Sequence, residues 1–325
     1  MKRIHESILE TIGWTPIVRL KRIAPDSIHQ YWAKLEFMNP GGSVKDRIGL
    51  HLIVQAEKRG QLKPGGTIIE ATSGNTGLGL AMVSAVKGYC CIFVMPDKVS
   101  EEKQALLRAY GAQVVITPSA LSPEDPGSYQ STALRLHQEI PNSFYADQFH
   151  NADNPLTHYQ TTGPEIWEQM GGKLDAFVAG AGTGGTLSGA GKFLKEKKPT
   201  IKNVLADPMG SILFDLFYQG RPVDPTKPYK VEGVGQAMLP MNIHLDWYDE
   251  VLHVNDRDAF QLTRKIVSSE GICVGPSGGM AMAAALEYGQ RLSKPANILV
   301  LFPDTGRGYL SKVFNDQWMR ENELL

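Results

Sequence analysis

A short apolar segment that runs directly into a polar turn determines the fold expected for this chain. Residues 67–77 read TIIEATSGNTG, and a helical pattern over Asn75–Lys87 follows. A β-rich apolar run followed at once by a helix is typical of one strand–helix unit in an α/β protein. Similar units recur along the 325 residues, so the sequence predicts this fold class throughout.

The predicted strands are apolar without alternation, which indicates parallel sheets that helices cover on both faces. These strands are Thr67–Ala71, Cys90–Met95, Gln113–Thr117, Ala176–Ala179, Val204–Asp207 and Ile298–Phe302. The predicted helices are Val44–Arg59, Asn75–Lys87, Ser100–Tyr110, Tyr129–Glu139, Asn154–Gln169, Gly185–Glu196, Asp256–Glu270 and Ser277–Leu292. The units form two clusters and predict two lobes, a smaller one at 42–147 and a larger one that combines 1–41 with 148–325. Ligands of such folds bind at the carboxyl ends of the strands.

Composition excludes several classes of function. The chain carries 34 acidic and 33 basic residues, so it has no basic field for nucleic acid or an anionic membrane. It contains no apolar run as long as a membrane span and no apolar signal core at its N-terminus. Its cysteines are Cys90, Cys91 and Cys273, without metal-ligand spacing. We expect a cytoplasmic protein with no metal and three buried reduced thiols, although the adjacent pair also fits a redox role.

Lys45 is the first candidate for chemistry. It lies in the stretch NPGGSVKDR, residues 39–47, a turn that leads into a predicted helix. A lysine there is either a solvated cation in the first turn of a surface helix or a partly desolvated amine that forms a Schiff base. Two strand-to-helix loops, 72–77 and 180–186, favour the second interpretation. A lysine with two anion-binding loops suits an aldehyde cofactor that bears a phosphate and a substrate that bears a carboxylate.

The loop at residues 180–186 reads GAGTGGT and joins a strand to a helix. Glycines let its backbone N–H groups approach an oxyanion closely, the helix N-terminus adds about half a positive charge, and Thr183 and Thr186 add hydroxyl donors. The loop therefore fits a phosphate. It also matches the dinucleotide pattern G-x-G-x-x-G, with Asp207 as the ribose-binding acid, which would make the chain a nicotinamide-dependent dehydrogenase. That alternative leaves Lys45 without a role.

Three segments, Ser43–Arg47, Ser73–Gly77 and Gly182–Thr186, together resemble pyridoxal-phosphate enzymes that replace the β-substituent of serine-like amino acids. The resemblance runs from Ile12 to Asp304 and covers two sister groups, the cysteine synthases and the cystathionine β-synthases. It implies fold type II of these enzymes, the tryptophan synthase β-like arrangement of two lobes with parallel-type sheets flanked by helices.

The two sister groups are not equally similar along the chain. Stretches that resemble the catalytic core of the cystathionine β-synthases lie at 139–143, 151–156, 210–213 and 309–319. Gln236 departs from that branch, in which a tyrosine is common at this position. Phe149 and the stretch 161–167 resemble the cysteine synthases instead.

The resemblance implies a role for each polar residue of these loops. Lys45 would hold pyridoxal phosphate through a Schiff base and move the α-proton of the substrate. The other cofactor-binding residues are Asn75 at the ring hydroxyl, Gly182, Thr183, Gly184, Gly185 and Thr186 at the phosphate, and Ser277 at the pyridine nitrogen. The substrate carboxylate would be bound by Thr72, Ser73 and Thr76, with Gln148 from the other side of the cleft. Carboxylate binding would close the smaller, mobile lobe on the larger, cofactor-binding lobe.

The reaction implied is replacement of the β-substituent of serine or O-acetylserine by homocysteine, which forms cystathionine. Glu232 is the second catalytic candidate, as the acid that protonates hydroxide when it leaves serine. Three alternatives stay open: a cysteine synthase that uses O-acetylserine and sulfide, an enzyme that releases sulfide from cysteine, and a degenerate member that acts only as a binding partner.

We also expect a homodimer that lacks haem and is not controlled by S-adenosylmethionine. The first cysteine, Cys90, lies inside a predicted strand, and the shared core already begins near Ile12, so a haem-binding N-terminal segment is not expected. The chain ends at Leu325, just after the core-like Trp318–Met319, so C-terminal nucleotide-sensing repeats are not expected either.

Overall fold

The chain divides into two compact units. The computed structural model describes residues 4–72, 74–97, 99–119, 121–122, 125–223 and 226–325. The smaller unit contains the described residues of 1–12 and 39–154, and the larger unit contains those of 13–38 and 155–325. Ser73, one of the predicted carboxylate-binding residues, lies outside the described residues.

Strands and helices alternate along most of the described chain. The strands are β1 (Ile17–Leu20), β2 (Gln30–Leu35), β3 (Thr67–Ala71), β4 (Cys90–Pro96), β5 (Gln113–Thr117), β6 (Ser143–Tyr145), β7 (Ala176–Gly180), β8 (Lys202–Pro208), β9 (Glu250–Val254) and β10 (Asn297–Phe302). The helices are α1 (Lys45–Lys58), α2 (Asn75–Lys87), α3 (Glu101–Ala109), α4 (Tyr129–Glu139), α5 (Asp153–Gln160), α6 (Thr162–Gln169), α7 (Gly185–Lys197), α8 (Leu213–Gln219), α9 (Asp256–Glu270), α10 (Pro276–Gln290) and α11 (Asp316–Glu321). Short 3-10 helices lie at Ile8–Thr11, Glu36–Met38, Leu245–Trp247 and Gly306–Tyr309.

The smaller unit is built around a four-stranded parallel sheet in the order β5-β4-β3-β6. Alternate residues of its strands join different core clusters. Ile68 and Phe93 pack in the cluster that α1 and α2 also line, whereas Ile69 and Val94 pack with Ala133 of α4. Both faces of the sheet are therefore buried, which explains why these strands are apolar without alternation.

The larger unit contains a six-stranded sheet in the order β1-β2-β10-β7-β8-β9. Its neighbouring strands are parallel except for the edge strand β1, which runs antiparallel to β2 with Ile17 opposite Lys34. Phe177 packs in a cluster with residues of α7, and the next residue, Val178, packs in a cluster with residues of α10. The α/β class with parallel-type sheets flanked by helices, predicted from the sequence, is confirmed.

One predicted helix is divided in the structure. The sequence predicts a single helix over Asn154–Gln169, whereas α5 and α6 are separated at Thr161. Thr161 has φ −123° and ψ −69°, which is outside the helical region, and its hydroxyl donates to the carbonyl of Thr157 at 2.7 Å. A side chain that bonds its own helix backbone in this way bends helices. The elements absent from the prediction are β1, β2, β6, β9, α8 and α11.

Two segments lie in a different unit from the one expected. Leu9 packs against the core of the smaller unit, so the described part of 1–12 belongs there rather than with the larger unit. The segment 148–154 also belongs to the smaller unit, because Arg59 donates to both carboxylate oxygens of Asp153, at 2.6 and 2.7 Å. The mobility expected for the smaller lobe stays a prediction.

Candidate active site

The turn before α1 fixes the backbone around Lys45. Gly42 has φ +88°, and its N–H donates to the carbonyl of Asn39 at 2.9 Å. The N–H of Gly41 donates to Oδ2 of the buried Asp46 at 2.6 Å. A Cβ at position 41 would lie 2.5 Å from the other carboxylate oxygen, so this turn requires glycine. Lys45, the first residue of α1, is half-buried, which agrees with a partly desolvated amine.

A close contact between α1 and α2 sets the distance between Lys45 and Asn75. A Cβ on Gly49 would lie 2.6 Å from the carbonyl carbon of Gly79, and a Cβ on Gly79 would lie 2.7 Å from the carbonyl oxygen of Lys45. Each glycine follows the candidate residue of its own helix by four positions, that is, by about one turn. The two helices therefore touch backbone to backbone directly beside the two candidate residues.

The predicted carboxylate-binding residues of the described chain lie together in the smaller unit. Thr72 and Thr76 are buried, and Thr76 Oγ1 donates to Gln148 Oε1 at 2.6 Å. Gln148 belongs to the same unit as Thr76, so its predicted position on the opposite lobe is wrong. The side-chain bond holds the amide of Gln148 beside the first turn of α2.

Glu70 is a buried acid next to this group that the sequence analysis did not single out. It is 1 % exposed, and its Oε1 accepts a hydrogen bond from the backbone N–H of Gln148 at 3.4 Å. Its Oε2 has no hydrogen-bond partner in the described part of the chain. Burial is the main cause that raises the pKa of Glu70 to about 8, so the carboxyl is protonated at neutral pH. A glutamate inside an otherwise apolar strand is the sequence signal for it.

The glycine loop between β7 and α7 is closely surrounded by backbone. Gly184 caps α7 with φ +86°. A Cβ on Gly182 would lie 2.4 Å from the carbonyl oxygen of Gly233, and a Cβ on Gly184 would lie 2.1 Å from Cγ1 of Ile243. The first N–H groups of a helix have no partner within the helix, and they carry the positive end of its dipole. The N-terminus of α7 thus supplies the N–H donors and the positive charge that a phosphate group requires.

The segment at 232–236 runs along this glycine loop. The N–H of Gly235 donates to the carbonyl of Ala181, and Nε2 of Gln236 donates to the carbonyl of Gly182, both at 2.8 Å. Gln236, the residue that departs from the cystathionine β-synthase pattern, therefore anchors the segment to the loop. Both hydrogen bonds of this segment end on backbone carbonyls of the loop, so no sequence motif predicts them.

Glu232 begins this segment and forms an ion pair with Lys312. The side chain of Glu232 is 35 % exposed. The Lys312 ammonium stabilises its negative charge, and this opposes the protonated form that a general acid requires. No sequence pattern connects these two residues, which are 80 positions apart.

Ser277 is buried in the first turn of α10. Two residues earlier, a Cβ on Gly275 would lie 2.2 Å from Oδ1 of Asp304. The second carboxylate oxygen of Asp304 accepts a hydrogen bond from the hydroxyl of Tyr309 at 2.7 Å. Burial raises the pKa of Tyr309 well above its usual value, so this hydroxyl keeps its proton. Asp304 and Tyr309 were both within stretches noted for resemblance, but neither had been given a role.

Asp207, from the dinucleotide alternative, and the three cysteines lie in environments that differ from those expected. Asp207, the acid of the dinucleotide alternative, is fully buried, and its Oδ2 accepts from the N–H of Phe214 at 3.0 Å. Cys91 is buried and burial raises its pKa to about 11, but Cys90 is exposed because it begins β4, and Cys273 is half-buried. The prediction of three buried thiols is therefore wrong. Within the described ranges, no cluster of three or more His, Cys, Asp or Glu side chains could hold a metal ion.

A family model described as pyridoxal-phosphate dependent enzyme matches residues 8–304. The chain therefore belongs to the pyridoxal-phosphate-dependent enzymes, and the resemblance inferred from its three loops is confirmed. In the described ranges, no helix has the length and apolar character that crossing a membrane requires.

Individual relatives narrow the class further. A cystathionine beta-synthase of Rattus norvegicus is 47% identical over 327 residues, which cover 99% of this chain and 58% of the rat protein. An O-acetylserine dependent cystathionine beta-synthase of Bacillus subtilis is 44% identical over 306 residues, 94% of this chain and 96% of that protein. The crystal structure of a hydrogen sulfide-producing enzyme from Fusobacterium nucleatum aligns with a TM-score of 0.87 and 38% identity over 94% of this chain and 98% of that one. The chain thus spans less than two thirds of the rat relative.

Proposed function

We propose that this chain catalyses replacement of the β-substituent of serine or O-acetylserine by homocysteine, with pyridoxal phosphate as cofactor and cystathionine as product. The observation that carries the proposal is the segment 232–236, which hydrogen-bonds along the glycine loop and begins with a carboxylate. When separated from Lys312, its acid would suit departure of a poor leaving group such as hydroxide. The similarity to two proteins described as cystathionine beta-synthases supports the same reaction.

The candidate cofactor-binding groups differ in chemical role in this proposal. Gly182–Thr186 and the N-terminus of α7 hold the phosphate, and the Ser277 hydroxyl serves as a neutral partner of the pyridine nitrogen. Lys45 Nζ is the amine that binds the aldehyde, and Asn75 bonds the ring oxygen. When bound, pyridoxal phosphate withdraws electrons from Cα of the amino acid and so eases loss of the α-proton and the β-substituent.

The remaining residues act on the amino acid. Thr72, Ser73, Thr76 and Gln148 bind its carboxylate. Because the Thr76 hydroxyl donates its only proton to Gln148 Oε1 at 2.6 Å, Thr76 would bind through its backbone N–H, and the bond orients the amide of Gln148, whose N–H groups would donate to the carboxylate. Lys45 Nζ accepts the α-proton, and Glu232 donates a proton to a leaving hydroxide. Acetate is a much better leaving group and needs little help, so Glu232 would matter far more for serine than for O-acetylserine.

Sulfide release from cysteine is the second candidate function. It is favoured by the similarity, at 38% identity, to an enzyme described as hydrogen sulfide-producing. Elimination from cysteine would use the same lysine and the same carboxylate-binding residues, with sulfide as the leaving group. The two functions therefore share Lys45 and the carboxylate-binding residues, and they differ in the substrates that are turned over and in the need for Glu232.

A product assay separates these possibilities. Purified protein loaded with pyridoxal phosphate is given serine, O-acetylserine or cysteine, each with homocysteine or sulfide, and cystathionine, cysteine and sulfide are quantified. We expect cystathionine from serine or O-acetylserine with homocysteine, and none from the Lys45→Ala variant. Cysteine as the sole product from O-acetylserine and sulfide would instead identify a cysteine synthase, and colourless protein that binds a nicotinamide dinucleotide would refute the cofactor assignment.

We further propose that the protein is a cytoplasmic homodimer without haem and without control by S-adenosylmethionine. Sedimentation equilibrium tests the dimer. A haem absorption band would contradict the absence of haem, and a several-fold increase in rate on addition of S-adenosylmethionine would contradict the absence of that control.

A further inference from the structure

We propose that His158 is a positioning residue that turns the hydroxyl proton of Thr186 toward the cofactor phosphate. The inference rests on the proposed cofactor role of the glycine loop and adds a residue that contacts neither cofactor nor substrate. Its basis is a line of three side chains, Thr162, His158 and Thr186, in the larger unit.

The histidine lies between two hydroxyl groups. His158 is 1 % exposed, its Nδ1 is 2.9 Å from Thr162 Oγ1, and its Nε2 is 3.2 Å from Thr186 Oγ1. Thr162 is fully buried. Thr186 is the second residue of α7 and one of the residues predicted to bind the phosphate. The imidazole thus links the interior of the larger unit to the glycine loop.

Close helix contacts keep the imidazole at this position. A Cβ on Gly189 of α7 would lie 2.0 Å from the carbonyl oxygen of Pro155 and 3.0 Å from Cβ of His158. A Cβ on Gly163 of α6 would lie 2.8 Å from Cβ of Phe193 in α7. Because backbone meets backbone or a Cβ at both points, α5 and α6 cannot slide along α7 without a steric clash.

The direction of the hydrogen bonds decides what Thr186 can do. A threonine hydroxyl has a single proton, and a neutral imidazole has one N–H donor and one acceptor nitrogen. If Thr186 donated to His158, its proton would be unavailable to a phosphate. If Nε2–H of His158 donates to Thr186, the Thr186 proton is available to an anion.

The proposal takes the second arrangement, in which Thr162 is the donor to Nδ1 of His158, a direction that the 2.9 Å contact permits but does not fix. The hydroxyl of Thr161 donates to the Thr157 carbonyl, whereas that of Thr162 is directed at Nδ1 of His158. Donation from Thr162 to Nδ1 puts the imidazole proton on Nε2. The order of donation is then Thr162 to His158, His158 to Thr186, and Thr186 to phosphate, and each bond polarises the next.

The test measures cofactor binding rather than turnover. Apoprotein is titrated with pyridoxal phosphate, and the phosphorus NMR signal of the bound cofactor is recorded for wild type, His158→Ala, His158→Gln, Thr186→Val and the His158→Ala/Thr186→Val double variant. Loss of a hydrogen bond to a charged group should raise the dissociation constant about ten- to a hundredfold in Thr186→Val and in His158→Ala. The double variant should be no weaker than Thr186→Val, because both changes remove one effect. His158→Gln, whose amide can donate to Thr186, should recover part of the affinity.

Thr263→Val is the matched control, since it removes a buried hydroxyl that donates to its own helix backbone, at the carbonyl of Ala259 in α9. Its dissociation constant should equal that of wild type, and circular dichroism verifies that each variant is folded. Additive losses in the double variant, or an unchanged phosphorus signal and affinity in His158→Ala, would overturn the inference. Failure of the wild-type apoprotein to bind pyridoxal phosphate would instead refute the proposed function itself.

Discussion

Replacement of Gly79 by alanine should displace Lys45 and lower turnover much more than stability. The added Cβ would lie 2.7 Å from the Lys45 carbonyl oxygen and 3.2 Å from Cα of Asp46. Ordinary contact begins at 3.4 Å, so the first turn of α1 must move by about 0.7 Å, the difference between 3.4 and 2.7 Å. Overpacking of this kind costs about 1–3 kcal/mol, and the better helix propensity of alanine offsets about 1 kcal/mol of that. The net loss of unfolding free energy should thus be about 0–2 kcal/mol.

The effect on catalysis should be larger, because a displacement of about 1 Å at a reacting group can reduce the rate about a hundredfold. We expect kcat to fall about 10- to 100-fold in Gly79→Ala, measured at steady state together with a urea unfolding curve. Gly289→Ala is the matched control: it places a Cβ 2.1 Å from the Tyr31 hydroxyl, near the end of α10 that is remote from Ser277. Native kcat in Gly79→Ala, or an equal loss of kcat in Gly289→Ala, would refute the reasoning.

Three further predictions concern charged groups. Glu232→Gln should reduce kcat with serine about 10²–10⁴-fold and kcat with O-acetylserine less than about tenfold, measured with saturating homocysteine, and equal losses would make Glu232 a structural residue. Because burial raises the pKa of Glu70 from 4.5 to about 8, its contribution to stability is complete below pH 4.5 and is lost as the pH rises through about 8. The unfolding free energy of wild type relative to Glu70→Gln should therefore fall between these limits by up to about 1.4 kcal/mol per pH unit, and parallel urea curves from pH 5 to 9 would contradict this. Lys34→Met should cost about 3–5 kcal/mol, because it removes the cation that lies 3.1 Å from the buried Glu165, and thermal unfolding of the Lys34→Met/Glu165→Gln double variant should show partial recovery.

Elements whose sequence pattern is local were predicted with their observed bounds. Helices α2, α4 and α9 and strands β3 and β5 coincide with the predicted ranges, because each joins a periodic or apolar run to turn-forming residues at its ends. Strand β2 was missed because it contains Lys34, a fully buried cation that interrupts the apolar run. That lysine is tolerated because it donates to the Thr15 carbonyl at 2.7 Å, to Gln169 Oε1 at 2.8 Å and to Glu165, which is 131 positions away.

The residues of the candidate site also fall into two groups, those that the sequence pattern reveals and those that only the structure reveals. Lys45, Asn75 and the glycine loop were recognisable because glycine-rich turns between strands and helices carry their own signature. Glu70, His158 and Gln236 were not recognisable, because each acts through a tertiary contact. Glu70 accepts from the backbone N–H of Gln148, His158 contacts the Thr186 hydroxyl, and Gln236 donates to the Gly182 carbonyl. Pattern analysis therefore finds the groups that would touch a ligand, and the structure is required to find those that orient them.

The pairing of Glu232 with Lys312 connects the choice of substrate to a single ion pair. A carboxylate that faces an ammonium cannot deliver a proton until the pair separates or the proton arrives from another group. Loss of hydroxide from serine requires that proton, whereas loss of acetate from O-acetylserine does not. An enzyme that keeps the pair intact would thus favour O-acetylserine, and one that separates it when the amino acid binds would accept serine as well. The ion pair, rather than the acid alone, is therefore the feature that would distinguish the two first substrates.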